Sequence, residues 1–170
     1  PQHRLVFANA FVRVIDAYFP PLYVTQYHSH AADNVAVTIL PGRDDAQGAA
    51  RIGFAGFSRG GYSHVATNPN TLPMRFIDVE LLGADHGEGG DDEVLTDHEV
   101  VLNNGRVRVM RVRLDAGRGI PVHRHSGGYV SIVVRGAEAA GTWRWHAASE
   151  GEAAIEAGRQ ALDVVEVEPR

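Results

Sequence analysis

The chain has 170 residues, with 16 basic against 21 acidic side chains, a net charge of −5 and an isoelectric point near 6.0. That is enough for one compact domain or two small fused ones, and it lacks the basic excess that phosphate contacts demand, so no nucleic acid is expected as a partner. Cysteine is absent, which excludes disulfides, thiolate nucleophiles and Cys-type zinc sites and leaves histidine and carboxylate as metal ligands; no apolar stretch approaches the roughly 18 residues of a membrane span.

Taken in chain order, the short runs VRVI (12–15), NVAVTIL (34–40), MRFIDVELL (74–82), VRVMRVRL (107–114), YVSIVV (129–134) and LDVVEVE (162–168) are rich in β-branched residues. Gly, Pro, Asn and Asp bound them, so they read as the strands of an all-β sandwich or barrel. Asn9 in FANAF and Asn104 in LNNGR read as turn residues between strands. The segment GADHGEGGDDEV, residues 83–94, has no apolar period and reads as a solvated boundary. ASEGEAAIEAG, residues 148–158, has a helical composition broken by Gly151, and is read as strand and loop.

Two H-x-H pairs stand out, His28 and His30 in QYHSHAADNVAV and His123 and His125 in PVHRHSGGYVSI. They are related by one offset, 123 − 28 = 95 and 125 − 30 = 95, which aligns residues 3–40 with 98–135 without a gap. Nine positions are then identical: His3/His98, Val6/Val101, Asn9/Asn104, Val12/Val107, Arg13/Arg108, Val14/Val109, His28/His123, His30/His125 and Val35/Val130. Composition alone would give roughly two or three, so the chain reads as an internal duplication. Later in each half the offset becomes 88, pairing Gly53 with Gly141, Val79 with Val167 and Glu80 with Glu168.

Residues i and i+2 of a strand project from one face, roughly 6–7 Å apart, so each H-x-H can turn two imidazoles toward one ion. His64, in GGYSHVATN, supplies a third nitrogen if its strand lies beside the first pair. Three neutral imidazoles suit Zn²⁺, Fe²⁺, Mn²⁺, Ni²⁺ or Cu²⁺ and leave positions open for water or substrate. For the second half the donor set is His123, His125 and Glu152, the carboxylate resting on a register that a one-residue shift would hand to Ala153. This second site is expected to be the weaker, partly or wholly empty. His3, His86, His98 and His146 lack a ligand-spaced partner and are expected to be structural or exposed.

These residues resemble the cupin family, and their duplication resembles a small bicupin. The family's first motif is G, five residues, H-x-H, three or four residues, E, six residues, G. Gly117, His123, His125 and Gly136 fall on it in the second half, with Tyr129 at the glutamate position. In the first half His28 and His30 match, while Leu22, Asn34 and Pro41 replace the glycine, glutamate and closing glycine. Of the second motif, Gly53, Gly61, His64 and Asn68 match, with Arg59 in place of proline; in the second half Gly141 matches and Glu152 and Glu156 stand at the histidine and asparagine positions. The resemblance implies two tandem jelly-roll barrels, residues 1–83 and 98–170, joined by an acidic, glycine-rich linker, 84–97.

It also implies a divalent-metal enzyme of the oxygenase, isomerase or lyase type, acting on a polar or carboxylated small molecule at the N-terminal barrel. Asn34, Tyr62 and Arg13 are the candidates for its substrate pocket, although a bland reading of Arg13 and Arg108 is that they are surface or inter-sheet ion-pairing residues. The alternative function is a non-catalytic metal- or ligand-binding module. No G-x-S-x-G elbow is present, and GFSRGG (56–61) lacks the lysine of a phosphate loop. The opening PQHRLVFANAFVRV resembles the mature starts of exported small cupins, an expectation of export, for instance to the periplasm, although freedom from cysteine suits a cytoplasmic protein equally well. Pairing through outer strands would give a homodimer.

Overall fold

The computed structural model describes residues 3–39, 50–57, 60–84, 95–148 and 152–170, the side chains of Glu152 and Ala153 excepted. His86, Pro41, Arg59 and most of the 84–97 linker lie outside the described residues. The chain divides into two units, Pro1–Leu82 and Gly83–Arg170. Among the described residues no helix is long and apolar enough to cross a membrane.

In the N-terminal unit the strands are β1 (His3–Ala8), β2 (Val12–Phe19), β3 (His28–His30), β4 (Asp33–Ile39), β5 (Ala50–Ala55), β6 (Tyr62–His64) and β7 (Met74–Leu81). Five of them form an antiparallel sheet in the order β1-β2-β7-β4-β5, and β3 and β6 pair as a separate two-stranded sheet. Alternation puts Val12, Val14, Val35, Val37, Ile77 and Val79 on one face, where none is exposed at all. Each such valine or isoleucine removed from water stabilises the unit by about 1.5–3 kcal/mol before chain entropy is counted.

The C-terminal unit repeats the plan with β8 (Glu99–Asn103), β9 (Val107–Leu114), β10 (Gly119–Arg124), β11 (Tyr129–Arg135), β12 (Trp143–His146), β13 (Glu152–Glu156) and β14 (Leu162–Pro169). Its sheet order is β12-β11-β14-β9-β8, with β10 and β13 as the separate pair, so each strand occupies the place of its counterpart seven elements earlier. Val14 pairs with Val79 and Val109 with Val167, and Val35 and Val130 flank the same two strands from the other side. The helical composition of 148–158 yields a strand, β13, because its backbone completes the pair with β10.

Most of the identities in the duplication have a physical reason. Val12/Val107, Val14/Val109 and Val35/Val130 are core residues, whereas Val6 is half-buried and Val101 exposed. Asn9 Oδ1 accepts from the backbone N–H of Phe11 and Val12, and Asn104 Oδ1 from those of Arg106 and Val107, which closes the same turn twice. Arg13 faces Glu80 across β2 and β7 at 2.6 Å, and Arg108 faces Glu168 across β9 and β14 at 2.8 Å. The offset of 88 thus holds for Val79/Val167 and Glu80/Glu168. It does not hold for Gly53/Gly141: Gly53 lies within β5 opposite Ala36, whereas Gly141 precedes β12 in a left-handed turn with φ of 84°.

Leu22 and Gly117 occupy one left-handed position in the two units, with φ of 56° and 76°. Glycine tolerates that conformation freely, whereas leucine there carries a Cβ against the following carbonyl. Gly61, φ 64°, is required for a second reason: a Cβ on it would sit 3.3 Å from the His30 carbonyl oxygen.

Candidate metal centres

In the N-terminal unit β3 and β6 run antiparallel with His28 opposite His64 and His30 opposite Tyr62. His28, His30 and His64 each offer a ring nitrogen within 4.8 Å of the other two. His28 Nδ1 is 2.9 Å from the Gln26 carbonyl oxygen, which accepts a hydrogen bond only if Nδ1 carries the proton. The free electron pair is then on Nε2, which is buried and has no hydrogen-bond partner among the described residues. His30 Nε2 and His64 Nε2 lie 3.2 Å apart, close to the roughly 3.3 Å between two nitrogens bound at 2.0–2.1 Å to one tetrahedral ion. An orphaned inward nitrogen and this spacing fit a metal ion.

The triad stands at a cavity of about 210 Å³ whose remaining wall is largely apolar, with Phe19, Phe57, Phe76 and several alanines, and which also receives His3, Asn34 and Asp78. Burial, followed by the neighbouring imidazoles, holds His3, His30 and His64 below the usual 6.5, so all three are neutral near pH 7 and able to donate an electron pair. Burial, then the charge of Glu80, pushes the Asp78 carboxyl up to about 7.

Of the residues expected in the substrate pocket, Asn34 lines the cavity. Arg13 does not: cross-strand register places Glu80 against its guanidinium, so it is an ion-pairing residue and the pocket assignment is corrected. Tyr62 is half exposed and stacks on Phe57 at 5.2 Å, outside the lining. Two cavity residues escaped the sequence reading. His3 reaches the wall with its ring 5.0 Å from that of His28, although no motif spacing links them. Asp78 lies in β7 two residues before Glu80, and no motif marks it out. Asn68 is fully buried, its amide donating to the carbonyls of Phe19, Pro20 and Leu72, so the asparagine of the second motif holds the loop after β6.

In the C-terminal unit the donors that come together are His98, His123 and His125, again within 4.8 Å. His98, taken from its spacing as structural, is the third imidazole; the identity His3/His98 was the signal that could have found it. The position opposite His123, held by His64 in the first unit, is Ala153, one residue beyond Glu152, which pairs with Arg124. The Glu152 side chain itself lies outside the described residues. Glu166 of β14, at the register place of Asp78, lies 3.3 Å from His98 Nε2 and 3.7 Å from His125 Nε2. Tyr129, at the place of Asn34, stacks on His125 at 3.9 Å and on His146 at 4.5 Å.

By sequence the chain matches no family model and none of the curated proteins. By structure it is similar to AerE from Microcystis aeruginosa, with a TM-score of 0.63 at 13% identity over 100% of this chain and 98% of that one. It is also similar to an oxalate decarboxylase, TM-score 0.55 at 13% identity over 94% and 69% of the two chains. The salicylate 1,2-dioxygenase of Pseudoaminobacter salicylatoxidans superposes with a TM-score of 0.52, at 13% identity over 94% and 70%. The fold is that of the cupins. Within it the chain is all-β, two tandem jelly-roll units, and at such low identity the likeness extends to fold alone.

Proposed function

We propose that the chain is a metal-dependent bicupin enzyme, binding a divalent transition metal through His28, His30 and His64 and acting on a small polar or carboxylated compound in the N-terminal cavity. The observation that carries this reading is the convergence of three imidazoles on a cavity whose remaining wall is largely apolar. A cavity of about 210 Å³ suits a small substrate. That a dioxygenase and a decarboxylase share the fold supports the enzyme class without naming the reaction.

A bound divalent ion would supply Lewis acidity at that end of the cavity. The chain's own residues do the rest. Phe19, Phe57 and Phe76 exclude water from the space beside the imidazoles. Asn34, buried at the wall, orients a polar substituent through its amide. Asp78, titrating near neutral pH, holds or accepts a proton at its carboxyl, which is where a general acid–base group is most effective. The test is metal analysis of the purified chain, followed by oxygen uptake and product detection over a panel of small carboxylated and phenolic substrates. Turnover that needs the metal and falls on Asp78→Asn supports the reading. Tight ligand binding with no turnover on any substrate would make this a binding module instead.

A further inference from the structure

The C-terminal cluster is built differently from the first, and two of its members lie outside any H-x-H spacing. We propose that the C-terminal unit holds a second divalent cation of the zinc type through His98, His123 and His125, with Glu166 as the anionic donor, and that this ion is structural.

Three observations converge. His98 Nδ1 is 2.9 Å from the Thr96 carbonyl oxygen and His123 Nδ1 is 3.0 Å from that of Pro121, so Nδ1 carries a proton in both rings and each ring, when neutral, offers its Nε2 electron pair to the cluster. His123 Nε2 and His125 Nε2 are 3.3 Å apart, again the spacing of two ligands on one small ion. The third is a set of orphans: His98 Nε2 and Glu166 Oε2 are buried, face each other at 3.3 Å, and among the described residues neither has a partner in hydrogen-bond geometry. The side chains of His98, Glu166 and His125 are 1%, 2% and 4% exposed. A buried carboxylate oxygen without a donor costs several kcal/mol unless a cation compensates it.

The structural role follows from what surrounds the cluster. The Tyr129 ring against His125 occupies the register place that Asn34 leaves to the cavity in the first unit. Sealed metal sites with a full protein donor set stabilise folds, whereas catalytic ones keep a coordination position open. The donors come from the approach to β8, from β10 and the residue after it, and from β14, so one ion would tie the edge of the large sheet to the small one.

The test uses the full chain carrying His28→Ala and His64→Ala, which removes the first triad, stripped with chelator and titrated with Zn²⁺ alone. One equivalent is expected to bind and to raise the melting temperature on the order of 10 °C. Adding His98→Ala should abolish both effects, Glu166→Gln should weaken binding by roughly 10–100-fold, and Glu152→Gln should leave both unchanged. No zinc uptake by the double variant, or an equivalent that survives His98→Ala, would overturn the proposal. Should far-UV circular dichroism show that His98→Ala prevents folding, His123→Gln in the same background carries the same expectation.

Discussion

The two units share strand order, core valines, turn asparagines and an Arg–Glu pair, yet they surround their histidines with different walls. In the first, Asn34 and Asp78 leave a cavity beside three imidazoles. In the second, Tyr129 and Glu166 stand at the same register positions and close on the histidines. The third imidazole also changes its origin: β6 supplies His64 in one unit, whereas the other has Ala153 there and draws on His98 instead. A duplicated framework therefore fixes where donors can stand, while one or two substitutions per copy decide whether the site is open to a substrate.

The largest expected effect comes from breaking the first triad. His64→Ala leaves two imidazoles on one short strand, and should remove the N-terminal metal and lower turnover by more than ~100-fold, the loss already typical of disturbing a ligand's outer partner. Metal analysis and a steady-state assay on the same preparation check this, with the C-terminal equivalent retained. Importing the second unit's wall into the first is the sharper experiment. Asn34→Tyr should fill the cavity and lower turnover by about 100-fold while the N-terminal metal stays bound. If instead activity persisted, the cavity would not be where substrate sits.

Stability against pH separates the walls in another way. The folded Asp78 carboxyl titrates near 7 against 3.8 in an unfolded chain. Its contribution is therefore fully present below about 4 and is lost as pH rises through 7. The sign is opposite for His30 and His64, held below 6.5: theirs is present above that value and lost as pH falls through their depressed values. Because an Asp78→Asn chain keeps those histidines, the wild-type stability minus the variant's isolates the carboxyl. In urea melts of metal-free protein that difference should fall by a few kcal/mol between pH 5 and pH 8, a size set by one pKa unit being about 1.4 kcal/mol. A flat difference would mean that Asp78 is not held protonated. The smallest effect is at the left-handed position: Leu22→Gly, at an exposed residue, should stabilise the N-terminal unit by ~1 kcal/mol, as its counterpart Gly117 shows that glycine suits the turn.

The fold was legible because the duplication is written in residues with separate physical jobs, and an offset of 95 aligns core, turn and site together. Val79/Val167 and Glu80/Glu168 fixed the last strand of each unit for the same reason. Legibility failed where chain spacing and spatial spacing part. His98 is 25 residues from His123 (123 − 98 = 25), and only the pairing of sheets brings them together. Glu166 was hidden in an alternating acidic run, since strand parity alone does not say which face meets the histidines. Arg13 could be read as a pocket residue or as an ion-pairing one, and only its cross-strand neighbour Glu80 separates the two. At Glu152, one residue of register separated a carboxylate from an alanine opposite His123.

The central claim is that one centre is open and the other sealed, and its most direct test is the visible spectrum of the full chain loaded with Co²⁺ and titrated with azide, a small anion that needs a free coordination position. The account predicts a spectral change from the N-terminal ion alone, removed by His64→Ala and retained in His98→Ala. A change that survives His64→Ala and disappears with His98→Ala would contradict it, placing the open centre in the C-terminal unit.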